Sequence, residues 1–394
     1  MTYLDHAATS YPKPAIVGRT MLRTMRDAGG NPGRSGHVLS MRAAQTVYRT
    51  REDAASFFRL DAPENVLFYP NATYALNTVL HSFGRRMGEE RVPRILISEL
   101  EHNAVLRPLY RMQQDGAAEF DVYPVFSRGD SGNVDMLAEE DILSGIRARI
   151  TEDTVLVCAC HVSNVCAARL PIRRIGVLCR AAGCAFLVDA SQSAGIFDID
   201  VEKDRIDYLC TAGHKALLGP QGSGLLLVGK QAPLPVSQVQ GGNGVASLSP
   251  EMPTHLPERL EAGTLSTPCI AGLGAGIRFV SDIGTQSLRA DAFALFQRLQ
   301  EILLSLNGVV LYQPQLTEGT TLSFSVKGKS CEEIAQRLSE AGICVRAGFH
   351  CASMAHRAFG TGQEGTVRVS VGWGNTLRDT DAFYRVLRQI VSEN

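Results

Sequence analysis

The sequence predicts an α/β protein: a mostly parallel, doubly wound sheet flanked by helices, with a second, smaller α+β domain. Three observations predict it. From about Asn65 to Val228, apolar strand-like runs alternate with helix-like stretches, the signature of strands joined by helical crossovers. The runs are almost continuously apolar, as strands buried on both faces are. Beyond a Gly/Pro-rich stretch over 231–268, the alternation gives way to a mixed order of helices and strands.

The first set of strands reads as RILISE, TVLVCAC, CAFLVD, DYLCTA and GLLLV. The 231–268 stretch reads as a linker and active-site loop. A long amphipathic helix follows, about Leu288–Leu306, and then the strand-like TTLSFSV. Ser330-Cys331-Glu332-Glu333 is a capping-box pattern, and its helix carries Ile334 and Leu338 on one face. Two further strands lie around ICVRAG and TVRVSVGW, and a last helix starts near Thr376 or Arg378. The expected division is a large domain over 15–255 and a small domain made of 1–14 and 256–394. For the first dozen residues the pattern itself does not decide between the two.

A chain of 394 residues suggests more than one core. Its net charge of −1 offers no footprint for nucleic acid or an anionic membrane. No apolar stretch reaches the roughly 18 residues of a membrane span. The start MTYLDHAATSYPKP lacks the basic and apolar regions of a signal peptide, so the expected location is the cytoplasm. Ten cysteines in so long a chain are not a disulfide framework. Cys158 and Cys160 read as strand residues rather than a metal pair, and no metal site is expected.

Ligands of doubly wound sheets collect at the carboxyl ends of the strands. Four polar clusters fall there or at helix starts. Ala212-Gly213-His214-Lys215 follows DYLC; a desolvated lysine loses its proton and its amine forms Schiff bases, although an ordinary loop lysine has the same address. Val188-Asp189-Ala190-Ser191-Gln192 ends an apolar strand with a carboxylate, which needs either a cationic partner or a helix to cap. Asn71-Ala72-Thr73 opens the helix YALNTVL, and free N–H groups at a helix start bind phosphate. Glu101-His102-Asn103 follows RILISE and offers an imidazole that could lie flat on a ring. Lysine, carboxylate, phosphate-binding helix start and imidazole together describe a site for pyridoxal 5′-phosphate (PLP), with Asp189 facing the pyridinium nitrogen so that the ring serves as an electron sink. A nucleotide-binding reading finds neither G-x-G-x-x-G after a first strand nor a Walker sequence.

In the order and spacing of these clusters the chain resembles the fold-type I PLP enzymes of the class V aminotransferase family, from YLDHAATSYPKP to TVRVSVGWGNT. Within that family it looks closest to the group II cysteine desulfurases, which include selenocysteine lyases. The marker is Arg346-Ala347-Gly348-Phe349-His350-Cys351-Ala352, similar to the family's R-x-G-H-H-C-A.

The resemblance implies a mixed seven-stranded sheet and PLP held on Lys215. It implies that His214 and Thr73, beside Ala72, contact the phosphate, that Gln192 faces the ring oxygen, and that His102 stacks on the ring. Asn164, in His161-Val162-Ser163-Asn164, is expected near the ring and the substrate carboxylate, and Arg368 is expected to clamp that carboxylate, a task suited to a bidentate guanidinium. Thr264, in EAGTLSTP, is expected to reach the phosphate of a neighbouring subunit, which implies a homodimer. The implied reaction takes sulfur from L-cysteine onto the Cys351 thiolate, with Lys215 moving protons. Sulfur is then handed to an acceptor protein, iron–sulfur cluster assembly being one destination. L-selenocysteine as substrate, or another PLP-dependent C–S lyase or aminotransferase, is the alternative.

Three departures stand out. Ala212 occupies a position where the family often has Ser or Thr, and Thr211 would replace that hydroxyl only through a backbone shift. Phe349 replaces the first histidine of the pair before the cysteine. Cys166 and Ala167 follow Asn164 where relatives carry residues such as Leu and Gly; Cys166 reads as packing. The short segment between Cys351 and the Gly-rich FGTGQEGT predicts a constrained cysteine loop.

Overall fold

A computed structural model describes residues 1–33, 36–85, 90–128, 134–314 and 318–393. Seven strands form the large sheet: β1 (Val66–Tyr69), β2 (Arg94–Ser98), β3 (Glu119–Tyr123), β4 (Thr154–Cys160), β5 (Ala185–Asp189), β6 (Tyr208–Ala212) and β7 (Gly224–Val228). Their order is β1-β7-β6-β5-β4-β2-β3. Pairing is parallel from β6 through β3, and β7 is antiparallel to both its neighbours. This is the mostly parallel sheet that the alternating pattern predicts, with the seven mixed strands that the resemblance implies. β5, β6 and β7 are buried at every position, which is why they read as unbroken apolar runs.

The helices in chain order are α1 (Ala15–Asp27), α2 (Val38–Phe57), α3 (Ala72–Ser82), α4 (Asn103–Gln114), α5 (Glu139–Arg147), α6 (Ile172–Ala182), α7 (Thr267–Ile283), α8 (Thr285–Ser305), α9 (Cys331–Glu340), α10 (Ser353–Ala358) and α11 (Leu377–Ser392). One core layer joins Val157, Phe186, Val188 and Leu225 of the sheet to Ala54 of α2 and to Ile270, Leu273 and Ile277 of α7. A second joins Leu67, Ile95, Ile97 and Leu226 to Leu76 and Val79 of α3 and Val105 and Leu109 of α4. The sheet is therefore covered on both faces.

A second sheet contains β8 (Val309–Leu311), β9 (Thr321–Val326), β10 (Arg346–Gly348) and β11 (Thr366–Ser370) in the order β8-β9-β11-β10, all antiparallel. Leu322, Phe324, Val367 and Val369 pack with Leu295 and Leu299 of α8, Ile334 and Leu338 of α9, and Phe383 and Leu387 of α11. Ser330 caps α9 by accepting from the Glu333 N–H. The reciprocal capping box occurs at Thr376 and Asp379, opening α11.

Two observations bear on the expected division of the chain. The helix α7 packs on α1 and α2 and buries apolar side chains in the core cluster of the large sheet, whereas α8 packs in the cluster of the second sheet. The glycines of α7 hid it from the sequence reading, because Gly272, Gly274 and Gly276 sit where a Cβ would meet neighbouring atoms. Residues 1–14 make bonds to both parts of the chain. Thr2 and Tyr3 pair in parallel with Ile343 and Cys344, while Ser10 and Lys13 bond the backbone at His214 and Lys215.

Candidate active site

The carboxyl ends of β4, β5 and β6, the starts of α3 and α4, and the loop after β10 surround one cavity. It is lined by Lys215, Asp189, Gln192, His214, His102, Ala72, Thr73, Asn164, Arg368 and Cys351, with Cys160, Arg346 and His350 beside them. Residues spread over some 300 positions of sequence thus meet in one place. Thr264 does not join them. It is exposed on the loop before α7, 3.4 Å from the Asn31 amide, the one sequence-predicted site residue outside the cavity.

The floor is built by the sheet. Asp189 is the last residue of β5 and is buried. Its Oδ1 accepts from the Ser191 N–H at 2.9 Å, which fixes the carboxylate at the strand end. β6 ends in Ala212, and the chain then turns through His214 and Lys215. Burial pulls the Lys215 amine down to about 8, and the Asp189 carboxylate partly offsets that pull. Such an amine is available as a base or nucleophile near neutral pH, as an exposed lysine is not. Burial likewise takes His214 to about 4, with Lys215 and Lys13 adding to the shift.

Asn71 caps α3, its side chain accepting from the Tyr74 N–H. The first turn at Ala72 and Thr73 therefore opens onto the cavity with backbone N–H groups that no helical carbonyl can take. Gly224, the first residue of β7, makes this approach possible: a Cβ there would lie 2.5 Å from the Asn71 carbonyl carbon. His102 caps α4, and its Nδ1 accepts from the Ala104 N–H at 3.0 Å. Burial lowers its pKa to about 4, against the opposing pull of Asp189. The ring is therefore neutral, with its proton on Nε2.

The rim comes from the small domain. Arg368 lies in β11 and is 2% exposed. Its Nη2 donates to Asp5 Oδ1 at 2.8 Å and its Nη1 to the Asn164 carbonyl at 3.2 Å, while its buried Nε has no partner. Asn164 donates from Nδ2 to the His350 carbonyl at 2.6 Å. The Asn103 N–H, at the start of α4, donates to the Cys351 carbonyl at 2.8 Å. His350 and Cys351 both have left-handed backbone, at φ 50° and 57°, a conformation non-glycine residues hold only when their surroundings impose it. The constrained cysteine loop read from the sequence is present. Cys351 itself is exposed. Burial and the nearby Arg368 hold His350 neutral, at about 2, so it adds no charge to the cavity that Arg346 and Arg368 line together with Cys351.

The departures resolve as follows. Ala212 lines the cavity and contributes no hydroxyl. Thr211 does not replace it, because its hydroxyl is buried and donates to the Ala190 carbonyl at 3.3 Å. Cys166 is buried in the large core, where burial raises its thiol to about 11. Phe349 is exposed, edge-on to His356.

Several neighbours of the site escaped the sequence reading, Cys160, Asp5, Thr9 and Ala7 among them. Cys160 ends β4 at the cavity, its thiol donating to the Val162 carbonyl; the rule that ligands gather at strand ends could have found it. Asp5, Thr9 and Ala7 come from an N-terminal segment with no periodicity to place it. Among the described residues, no group of three metal-ligating side chains occurs.

The residues present fit PLP. The cavity offers a helix start for a phosphate, a lysine amine for an aldehyde, a carboxylate for a pyridinium and a neutral imidazole beside them. It also leaves the Arg368 Nε, the Asn164 Oδ1 and the Ser191 Oγ buried without partners in the protein, as expected where a polar ligand completes the hydrogen bonds.

The aminotransferase class-V family model matches residues 2–383. A probable cysteine desulfurase of Methanothermobacter thermautotrophicus is 32% identical over 98% of this chain and 94% of its own. The cysteine desulfurase of Yersinia pestis is 30% identical over 99% of this chain and 93% of its own. A probable cysteine desulfurase of Mycolicibacterium paratuberculosis is 32% identical over 99% of this chain, which spans 55% of that longer relative. Among solved structures, the apo cysteine desulfurase of Thermococcus onnurineus superposes with a TM-score of 0.87 at 28% identity, covering 100% of this chain and 95% of the other. The cysteine desulfurase CsdA of Escherichia coli shares the fold, with a TM-score of 0.85 at 24% identity, over 99% of this chain and 94% of its own. The chain belongs to the class-V aminotransferase family, alongside the cysteine desulfurases.

Proposed function

We propose that this protein is a PLP-dependent cysteine desulfurase that converts L-cysteine to L-alanine and takes the sulfur on Cys351 as a persulfide. The observation that carries the reading is the meeting, in one cavity, of an amine lowered to about 8, a buried carboxylate, a buried arginine and an exposed cysteine.

Lys215, Asp189, Gln192, His102, His214 and the α3 start at Ala72 and Thr73 would hold the cofactor. When bound, PLP supplies an electron sink that makes the carbon framework of the amino acid reactive. Arg368, with Asn164 beside it, orients the substrate by its carboxylate. Lys215, freed of its proton by burial, takes and returns protons at the substrate carbons. The Cys351 thiolate attacks the substrate sulfur. The S–S bond forms as the C–S bond breaks, and the carbon takes a proton to become alanine. One thiol from the substrate and one from the protein thus become a persulfide and a methyl group, with no outside oxidant.

The exposure of Cys351 supports transfer of the persulfide sulfur to an acceptor protein, with iron–sulfur assembly one destination. Thr264, exposed and outside its own cavity, supports a homodimer in which it reaches the neighbouring phosphate. We place this activity in the cytoplasm; among the described residues no helix is long and apolar enough to cross a membrane.

The test is release of alanine and sulfide from L-cysteine, with a thiol reductant present, by wild type and Cys351→Ala. Equal amounts from wild type, lost in the variant, are the expected result. Pyruvate in place of alanine, or a variant as active as wild type, would sink the persulfide mechanism.

A further inference from the structure

The segment Tyr3–Lys13 crosses from the small domain to the large one and touches three separate pieces of the site. At its start it is fixed to the second sheet: the Leu4 N–H donates to the Cys344 carbonyl at 2.9 Å, the Ser370 N–H to the Leu4 carbonyl at 2.8 Å, and the Ala7 N–H to the Ser370 hydroxyl at 2.9 Å. These bonds set Asp5 against Arg368. A guanidinium 2% exposed needs a counter-charge, and Asp5 supplies it through Nη2 at 2.8 Å. That bond and the one from Nη1 to Asn164 fix the plane of the fork, while Nε remains unbonded.

Further along, the Ala7 carbonyl accepts from the Gln192 amide at 2.9 Å. Thr9 Oγ1 lies 3.0 Å from His214 Nδ1 and 3.1 Å from the His214 carbonyl. Ser10 donates to the Lys215 carbonyl at 2.8 Å, and Lys13 reaches both Ser10 and the His214 carbonyl. The turn that carries Lys215 is thus held from the N-terminal segment as well as from its own sheet.

We propose that this segment is a positioning strap with two separable duties: Asp5 holds Arg368 for the substrate carboxylate, and Thr9 holds the His214 ring on the cofactor side. The assignment rests on the proposed function for what Arg368 and His214 bind. Neither Asp5 nor Thr9 need touch a reacting atom; each acts through the side chain it holds. An arginine that clamps a carboxylate depends on its orientation, because the two parallel bonds must both be aimed.

The test uses full-length protein and two titrations. Binding of L-alanine to the holoenzyme is read from the cofactor absorbance, and binding of PLP to the apoprotein from the same band. Asp5→Ala should weaken L-alanine binding about tenfold or more and raise the KM for L-cysteine in step, with kcat and PLP affinity within about twofold. Asp5→Asn, which keeps an acceptor oxygen for Nη2, should lose less, and it decides the matter if Asp5→Ala does not fold. Thr9→Val should weaken PLP binding severalfold and leave L-alanine binding to the loaded protein within about twofold, with Thr9→Ser restoring the wild-type value. A purely structural strap would shift both titrations together in both variants; that result, or no shift in either, overturns the proposal. Wild type that binds L-alanine yet releases no sulfide from L-cysteine would defeat the desulfurase reading instead, and both titrations would still judge the strap.

Discussion

Asp189 ends a strand that is hydrogen-bonded to a neighbour on each side, whereas Cys351 follows a three-residue edge strand and leaves it through two left-handed residues. The floor of the cavity is held by the large sheet, and its titrating groups are set by burial. Burial pulls the Lys215 amine down to about 8, and it pushes the thiols of Cys158, Cys160 and Cys210 well above their usual range. The rim is held by a few bonds to the Asn103 amide and the Asn164 side chain, and it leaves its cysteine open to solvent. Cofactor chemistry needs the first kind of environment, where charges are strong and water is excluded. A sulfur that must leave on another molecule needs the second.

The sharpest way to break this comparison is to remove the central group of each region. Lys215→Ala should lower alanine release from L-cysteine by about 10²–10⁴-fold, the usual worth of a positioned acid–base group, and the loss should follow alanine and sulfide alike. Cys351→Ala should abolish reductant-dependent sulfide release. Cys166→Ala, buried in the large core and absent from the cavity lining, should leave that release standing and cost about 1–3 kcal/mol in urea unfolding. If Cys166→Ala loses sulfide while Cys351→Ala keeps it, the sulfur is taken by Cys166 and not by Cys351.

The buried carboxyl of Glu101 gives a pH test of the floor. It is fully buried, accepts from the Ser98 hydroxyl and the Cys160 N–H, and keeps one oxygen unpartnered. Burial raises its pKa from 4.5 to about 7, and the nearby Asp189 adds to the rise. Its folded value lies above its unfolded one, so its contribution is most favourable below pH 4.5 and is lost as pH climbs to about 7. Glu101→Gln should remove that loss. Unfolding free energies of wild type and variant should diverge across this window, by up to about 3 kcal/mol in favour of the variant above it. Parallel pH profiles would refute a neutral Glu101.

A smaller effect separates loop strain from loop access. Gly365, at φ 67°, sits where a Cβ would lie 2.9 Å from the Gly348 Cα. Gly365→Ala should destabilise the protein by about 1–3 kcal/mol through strain at the rim and slow Cys351-dependent sulfide release more than PLP uptake. The smallest change is expected at Phe349, whose side chain is 46% exposed. Phe349→Ala should shift stability by no more than about 0.5 kcal/mol. A large loss of stability there would mean the ring is anchored by its contact with His356.

Much of the floor was legible because buried strands carry their own signal. A polar residue that closes an apolar run stands out, as Asp189 does after AFLV, and Lys215 follows the next such run. Cys351 and Arg368 were legible only through the resemblance, since β10 and β11 carry no pattern that distinguishes a site from a core. Residues with no periodicity were not legible. Asp5 pairs with a residue 363 positions away, and α7 was missed because its glycines look like a loop until their close contacts are seen.

The sequence by itself determined which segments become buried strands, because apolar runs and helix caps are local properties of the chain. It also determined the chemical inventory of an amine, a carboxylate, imidazoles and a thiol. Only the tertiary structure decided that Asp5 neutralises Arg368, that His350 stays uncharged beside Cys351, and that Thr211 faces away from the cavity. Those outcomes depend on burial and on contacts between distant segments, and the strength of a charge or hydrogen bond is fixed by its surroundings rather than by its residue type.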